Sequence, residues 1–288
     1  MTLIVIIVWL KAIIMAKSVR TLGEAGSDLL TAITREGKKV FTYGEAAKAY
    51  GSDDSRLRNL LSTLVKRGWL RRIEKGKYLI LPFEAGSEKE WTEHEFIIAS
   101  YLIQPYYIGF RSALNYYGYT EQISRTVYIA SPRRKLSSTL EISGATYRFI
   151  YMSESKFFGA KQAHIDGNPV NISEPEKTIV DCLDRMRYCG GIPEIAKALW
   201  YGQEELDFIK MAQYSRRNGN RAASQRLGYL IEQLGFKAEG AIEILLQNMS
   251  TRYTPLDVLS EPRGKHIKKW KIILNNPSDE FLRETKQR

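Results

Sequence analysis

The stretch DDSRLRNLLSTLVKR, residues 53–67, is the part of the chain from which the rest is read. Leu57, Leu60, Leu61, Leu64 and Val65 recur at three- and four-residue steps, which places them on one side of a 3.6-residue helix, with Ser52 or Asp53 expected to cap its start. The same rotation puts Ser55, Asn59, Ser62, Thr63 and Lys66 on the far side, flanked by Arg56 and Arg58, a set suited to phosphates and base edges. Alone, this is also the pattern of an amphipathic helix with an ordinary solvated face. The residues after Gly68 favour the first reading. WLRRIEKGKYLILP, residues 69–82, is two short apolar-alternating runs around Glu74-Lys75-Gly76, a β-hairpin pattern with Arg71, Arg72, Lys75 and Lys77 at and beside its tip. Helix followed by basic hairpin predicts a winged helix-turn-helix.

The residues upstream complete that unit. GSDLLTAITR, residues 26–35, reads as a first helix capped near Ser27, with Leu29, Leu30 and Ile33 on one face. Val40 to Tyr43 suggests a short strand, and YGEAAKAYG a short helix in which Ala46 and Ala47 allow close packing and Gly51 stops the helix in the left-handed conformation. The order lays the second helix of the pair in a major groove.

The charge agrees with a nucleic-acid partner. Of the net +11, residues 1–85 carry 15 Lys and Arg against 8 Asp and Glu, leaving 28 against 24 for the remainder. A basic excess favours nucleic acid or an anionic membrane, because phosphate contacts release condensed counterions. A membrane reading needs a spanning segment, and the apolar start TLIVIIVWLKAIIMA is broken by Lys11 and shorter than the roughly 20 residues a bilayer requires. It lacks the basic leader and clear cleavage site of a signal peptide. The expectation is therefore a chain without a membrane anchor, in which residues 1–20 are either an extension ahead of an alternative start at Met15 or a short helix packed on the body. Cys182 and Cys189 have no second pair and no matching His spacing, so neither a disulfide framework nor a zinc site is expected, and a reducing cytoplasm fits.

With 288 residues and 44% apolar content, two domains are expected: residues 21–85 as the reader and residues 86–288 as a larger mixed α/β domain with a helical C-terminal half, an α+β chain overall. The boundary is placed near residue 86, where LPFEAGSEKE mixes Pro, Gly, Ser and charge. Residues 91–104 read as a helix capped by Thr92 with Glu95 in capping-box spacing, and Ser112 to Tyr117 as a helix ended by Gly118. TVYIA (126–130) and ATYRFIY (145–151) alternate like strands, and Asp166-Gly167 turns a second hairpin. Ser173 to Glu176 resembles a capping box opening a helix through about Arg187, with Ile179, Val180, Leu183 and Met186 inward. Helical patterns then run from Pro193 to about Asn248, and WKIILN (270–275) is the one strand expected in the tail.

A search for catalysis finds little. His94, His164 and His266 are far apart in sequence, and no HExxH, GxSxG, Walker A or GxGxxG arrangement is present. His94-Glu95 reads as a surface pair rather than a metal site, Asp181 and Asp184 as solvated charge on one helix face, and Cys182 as a small apolar filler. No cofactor or metal is expected. Two further basic clusters, Arg133, Arg134 and Lys135, and Arg216, Arg217 and Arg221 with Arg226, are either solvated surface or a second nucleic-acid surface. The 17 tyrosines are explained most simply by packing.

The order of winged helix, YYIGFRSALNYYGYTEQ and SEPEKTIVDCLDRMRYCGGIPEIAKAL resembles the AbiEi-like antitoxins of type IV toxin-antitoxin and abortive-infection systems, over about residues 26–235. The most specific positions are Ser112, Ala113, Leu114, Gly118, Thr120 and Gln122, then Pro175, Glu176, Lys177, Asp181 and Asp184, followed by Gly190 and Gly191. The resemblance implies a repressor binding inverted repeats of double-stranded DNA in its own promoter, as a dimer if half-sites pair. It also implies a C-terminal domain that counteracts a nucleotidyltransferase-like toxin, in many such systems without a stable complex. The apolar first fourteen residues have no place in that pattern, and Asp53-Asp54 bring negative charge to the reading helix, where acids also suit a helix N-terminus. Two readings from other classes stand beside this one: an enzyme in residues 86–288 acting on nucleotides or on a toxin, and a winged helix that grips protein.

Overall fold

The computed structural model describes residues 21–81 and 94–276. The chain divides into two compact units, Met1–Glu93 and His94–Arg288. The boundary expected near residue 86, the apolar start and the charged C-terminal end lie outside the described residues.

The first unit runs α1 (Glu24–Arg35), β1 (Val40–Thr42), α2 (Tyr43–Tyr50), α3 (Ser55–Lys66), β2 (Leu70–Glu74) and β3 (Lys77–Ile80). The strands form an antiparallel sheet in the order β1-β3-β2. Helix α1 starts two residues before the expected position, after Gly23 at φ 72, with no side-chain cap, so Ser27 lies inside it. Thr42 and Glu45 form a reciprocal capping box at α2, and Gly51 at φ 80 ends that helix as expected. The cap of α3 is neither Ser52 nor Asp53 but Asp54, whose extended backbone lets its carboxylate accept from Arg56 N and Leu57 N at 2.8 and 3.1 Å. Leu57, Leu61 and Leu64 of α3 are fully buried against Leu29, Ile33, Phe41, Ala46 and Leu70, while Leu60 and Val65 are only half-buried.

The second unit holds a six-stranded mixed sheet in the order β6-β7-β5-β4-β9-β8. Its strands are β4 (Tyr107–Ile108), β5 (Thr126–Ser131), β6 (Thr139–Ile142), β7 (Ala145–Tyr151), β8 (Ala160–Ile165) and β9 (Asn168–Ser173). Helix α4 (Glu95–Ser100) precedes β4, and α5 (Phe110–Tyr116) lies between β4 and β5 in sequence. Five helices follow: α6 (Pro175–Asp184), α7 (Ile192–Tyr201), α8 (Phe208–Asn218), α9 (Arg221–Leu234) and α10 (Glu239–Gln247). A second sheet, β10 (Thr254–Pro255), β11 (Lys265–Ile267) and β12 (Ile272–Leu274), closes the described chain in the order β10-β12-β11. The hairpin at Asp166-Gly167 forms with both residues at positive φ, 48 and 76. No helix of the described residues is long and apolar enough to cross a membrane.

Two expected helix starts are corrected. Helix α4 is a six-residue piece, not a helix through 104, and His94 caps it by accepting from Phe96 N at 3.2 Å; Thr92 lies outside the described residues. At α6 there is no capping box. Glu174 is the flanking residue without a side-chain bond, and Ser173 instead shares a hydrogen bond with Thr178 and reaches the Ile108 carbonyl. The α6 start carries the right residue types, but Thr178 and the Ile108 carbonyl take the Ser173 side chain away from the backbone amides.

Among the described residues Trp270 is the largest fully buried side chain, and it packs so closely on Gly228 of α9 that a Cβ there would overlap its ring. Its Nε1 donates to Glu232 at 2.7 Å, fixing the indole in place. Gly228→Ala should therefore destabilise the second unit by about 1–3 kcal/mol, although alanine is the better helix former. A urea midpoint unchanged or raised by the substitution would contradict this close approach.

Candidate nucleic-acid interface

Burial of the leucine stripe fixes which side of α3 meets solvent. Ser55, Arg56, Arg58, Asn59, Ser62 and Lys66 are exposed and Thr63 is half-buried. Across from the C-terminal half of this face stands the β2–β3 hairpin, turned by Lys75-Gly76 with Gly76 at φ 72 and held to the start of α2 by a 2.7 Å bond from Tyr43 N to the Gly76 carbonyl. Between helix and hairpin lies an open groove of about 820 Å³. Arg58, Ser62 and Lys66 line one bank, Arg72 and Lys75 the other, and Tyr43, Tyr78 and Val65 contribute its aromatic and apolar wall. Among the described residues no carboxylate lines it.

The expected contact residues divide by their existing partners. Lys77 is paired with Glu74 at 3.0 Å, and Arg72 Nε donates to the Glu74 carbonyl at 3.4 Å. Arg71 and Lys77 are half-buried, whereas Arg72 and Lys75 are exposed. The two acids that appeared to oppose phosphate are also accounted for. Asp54 is the helix cap, and Asp53 accepts the Tyr43 hydroxyl at 2.6 Å, a bond that pushes the Tyr43 pKa above its ordinary value. Tyr43 and Tyr78 were not singled out in the sequence. Their only signal there is position, one at the start of α2 and one on the hairpin strand, and strand tyrosines are common for packing alone.

The two other basic clusters fare differently. Arg134 lies 4.2 Å over the Tyr151 ring, and Lys135 is half-buried, donating to the Leu102 carbonyl at 2.9 Å while 4.4 Å over Phe149. Arg217 sits 4.0 Å over Phe158, while Arg133, Arg216 and Arg221 are exposed. Arg226 does not belong to a surface. It is buried, bonded to the Pro255 carbonyl and Thr254 Oγ1 at 3.0 Å each, and burial pushes its pKa down to about 10. Among the described residues no three His, Cys, Asp or Glu side chains gather where they could hold a metal ion.

Comparison with known proteins bears on the first unit and on the fold of the whole. Residues 28–80, from α1 to the end of β3, match the model of a family described as a transcriptional regulator, AbiEi antitoxin. A search of the curated proteins gave no match. Among solved structures, the crystal structure of the RV2827C protein from Mycobacterium tuberculosis is similar, with a TM-score of 0.64 over 94% of this chain and 97% of that one. At 14% identity it shows a shared fold.

The motif stretches of the second unit build interior joints. Ser112 accepts from Tyr128 N at 2.9 Å and donates to the Thr126 carbonyl at 3.3 Å, tying α5 to β5. Leu114 is fully buried, and Gly118 follows α5 at φ 71. Thr120 and Gln122 donate to the buried Glu194 at 3.0 and 3.4 Å. Gly190 and Gly191 both adopt φ 88, and a Cβ on Gly190 would overlap the Arg111 guanidinium. Pro175 is the first residue of α6, and Glu176 is buried with Lys210 at 3.1 Å. Asp181 and Asp184 are not solvated, contrary to expectation. Asp184 is bonded to Lys156 and Asn220 at 2.8 and 2.6 Å. Burial pushes its pKa up, but these partners outweigh burial and hold it below the ordinary value. Asp181 forms a fully buried ion pair with Lys177 and accepts the Tyr107 hydroxyl at 2.7 Å. Cys182 is buried, as expected of a filler.

Breaking that buried pair from one side leaves an uncompensated charge in the core. Asp181→Leu alone should destabilise the second unit by about 3–5 kcal/mol, while Lys177→Met with Asp181→Leu should recover most of the loss. Equal unfolding midpoints for the single and double variants would show that the pair does not act as a unit.

Proposed function

We propose that this protein is a DNA-binding transcriptional regulator of the AbiEi antitoxin kind, whose first unit is a winged helix-turn-helix and α3 its reading helix. The observation that carries the reading is the groove between α3 and the hairpin, lined by four cations and, among the described residues, by no acid, in a segment similar to a family of transcriptional regulators; the four are Arg58, Lys66, Arg72 and Lys75. Helix α3 enters the major groove of double-stranded DNA, with Ser55, Arg58, Asn59 and Ser62 nearest the base edges and Thr63 behind them. Arginine to guanine and asparagine to adenine are the geometrically natural pairs. Arg56, Lys66, Arg71, Arg72, Lys75 and Lys77 hold the phosphate backbone, with Lys75 foremost because it is exposed at the hairpin tip. Arg133, Arg134, Lys135, Arg216 and Arg217 add long-range attraction.

The regulated site is an inverted repeat in the protein's own promoter, bound by two copies with half-sites roughly 10 bp apart or a multiple of that. The second unit then opposes a nucleotidyltransferase-like toxin, in the cytoplasm and without chemistry of its own. The buried partners of Lys177, Asp181 and Asp184 favour a structural over a catalytic role for that stretch.

The two kinds of contact separate in a binding titration. Asn59→Ala should relax sequence preference at one base pair, at about 1–3 kcal/mol for the preferred base. Lys75→Ala should weaken all duplexes alike and flatten the dependence of log affinity on log salt by about 0.9. Uniform loss on every sequence for both variants would remove α3 as the reading element, and a folded chain that binds no DNA at low salt would remove DNA as the partner.

A further inference from the structure

The last described segment contains a basic run that the sequence reading passed over. PRGKHIKKWK, residues 262–271, places five cations in nine residues from Arg263 to Lys271. The end of this run is tied to α9, where the Trp270 and Lys271 carbonyls accept from Gln225 Nε2 at 2.9 and 3.1 Å, and Gln225 also lines a cleft at the start of that helix. There Arg221 and Arg252 line a cleft of about 360 Å³ together with Tyr253 and Asn220. Among the described residues no carboxylate lines this cleft. His266 is exposed and stacks on Tyr253, with ring centroids 4.6 Å apart and planes at 24°. Lys271 Nζ lies 5.2 Å over the same Tyr253 ring, and Lys268 is exposed in the turn between β11 and β12.

The carboxylates bonded beside this face are committed elsewhere. Glu232 is paired with Lys269 and accepts from Trp270, and Asp184 holds Lys156 and Asn220. Arg221, Arg252 and Lys268 form no ion pair among the described residues, and no fold contact requires their charge. Asn220 already satisfies two amides at the start of α9, those of Ala222 and Ala223, so the arginines rather than the helix end offer the attraction here. Free cations around a narrow cleft, next to an exposed aromatic stack, match a phosphodiester chain whose bases are unstacked. A duplex is too wide to enter a cleft the size of one or two nucleotides.

We propose that this face of the second unit binds single-stranded nucleic acid. Phosphates are held between Arg221 and Arg252, the strand passes Lys268 and Lys271, and a base stacks on the outer side of His266. The face is independent of α3 and of the duplex reading proposed above.

The test uses the full chain and fluorescence anisotropy with labelled mixed-sequence RNA and DNA single strands of about 20 nucleotides, long enough to cover such a site. The matching duplex is the third probe. Combined Arg221→Ala, Arg252→Ala and Lys268→Ala should weaken single-strand binding at least about tenfold and reduce the salt slope by about 2, at roughly 0.7 per phosphate contact. Lys268→Glu alone, in an exposed turn, should give a smaller loss in the same direction, so the proposal stays testable if the triple variant is unstable. Loss on both single strands supports backbone and base recognition, and loss on RNA alone supports it with the ribose as an added contact. Single-strand affinity that is absent, or that survives the triple or Lys268→Glu substitutions, overturns the proposal. So does binding confined to the duplex.

Discussion

Burial of Leu57, Leu61 and Leu64 is the constraint on which the first unit rests. Each fully buried leucine contributes about 1.5–3 kcal/mol by leaving water, and the three lie on one side of α3, so the helix has only one stable rotation about its axis. That rotation sends Ser55, Arg58, Asn59 and Ser62 outward together. The polar face is thus a consequence of the core, and its precision as a surface derives from the rigidity of the packing beneath it. The hairpin is positioned by equally local means. Phe41 on β1 stacks on Tyr78 of β3, and the Tyr43 amide holds the Gly76 carbonyl, so the tip follows the body of the unit.

The parts of the fold legible in the sequence are those where periodicity and backbone chemistry agree. Helix α3, the Lys75-Gly76 turn, the Gly51 stop, strands β5 and β7, the Asp166-Gly167 turn and the run of C-terminal helices all have side-chain patterns that no alternative element would satisfy. Boundaries were less legible, because a cap is a competition. Asp53 and Asp54 are both capping residues, and the distant Tyr43 hydroxyl takes one while the helix takes the other. Likewise Ser173 has the residue type of a cap but is drawn to Thr178 and Ile108. Strands of two or three residues, such as β10 and β11, are too short to show alternation, and only their pairing with β12 defines them.

Charge was the least legible property. Lys177, Asp181, Asp184 and Arg226 resemble surface residues in a linear reading, since ionised groups are seldom buried without partners. Their partners come from distant stretches: Tyr107 for Asp181, Lys156 and Asn220 for Asp184, and Thr254 and Pro255 for Arg226. One sequence cannot announce such pairings. The same holds in reverse for the groove beside α3, where Tyr43 and Tyr78 gain a binding context only once the hairpin closes over the helix.

What separates a structural cation from a binding one in this protein is whether folding has already supplied its counter-charge. Lys177 and Lys77 have carboxylates, and Lys135, Arg134 and Arg217 have carbonyl or aromatic partners. Removing their charge disturbs packing first and any ligand second. Arg58, Lys66 and Lys75 near the hairpin, and Arg221 and Arg252 at the start of α9, have no such partner among the described residues, and none of the described residues lining the two grooves is acidic. A protein gains no stability from gathering like charges in this way, because their mutual repulsion opposes folding. Such clusters are stabilised when an external polyanion supplies the missing charge and releases its own counterions. Net charge therefore overstates the proposed reading surface, and under that proposal the uncommitted cations within it mark where a phosphate backbone would lie.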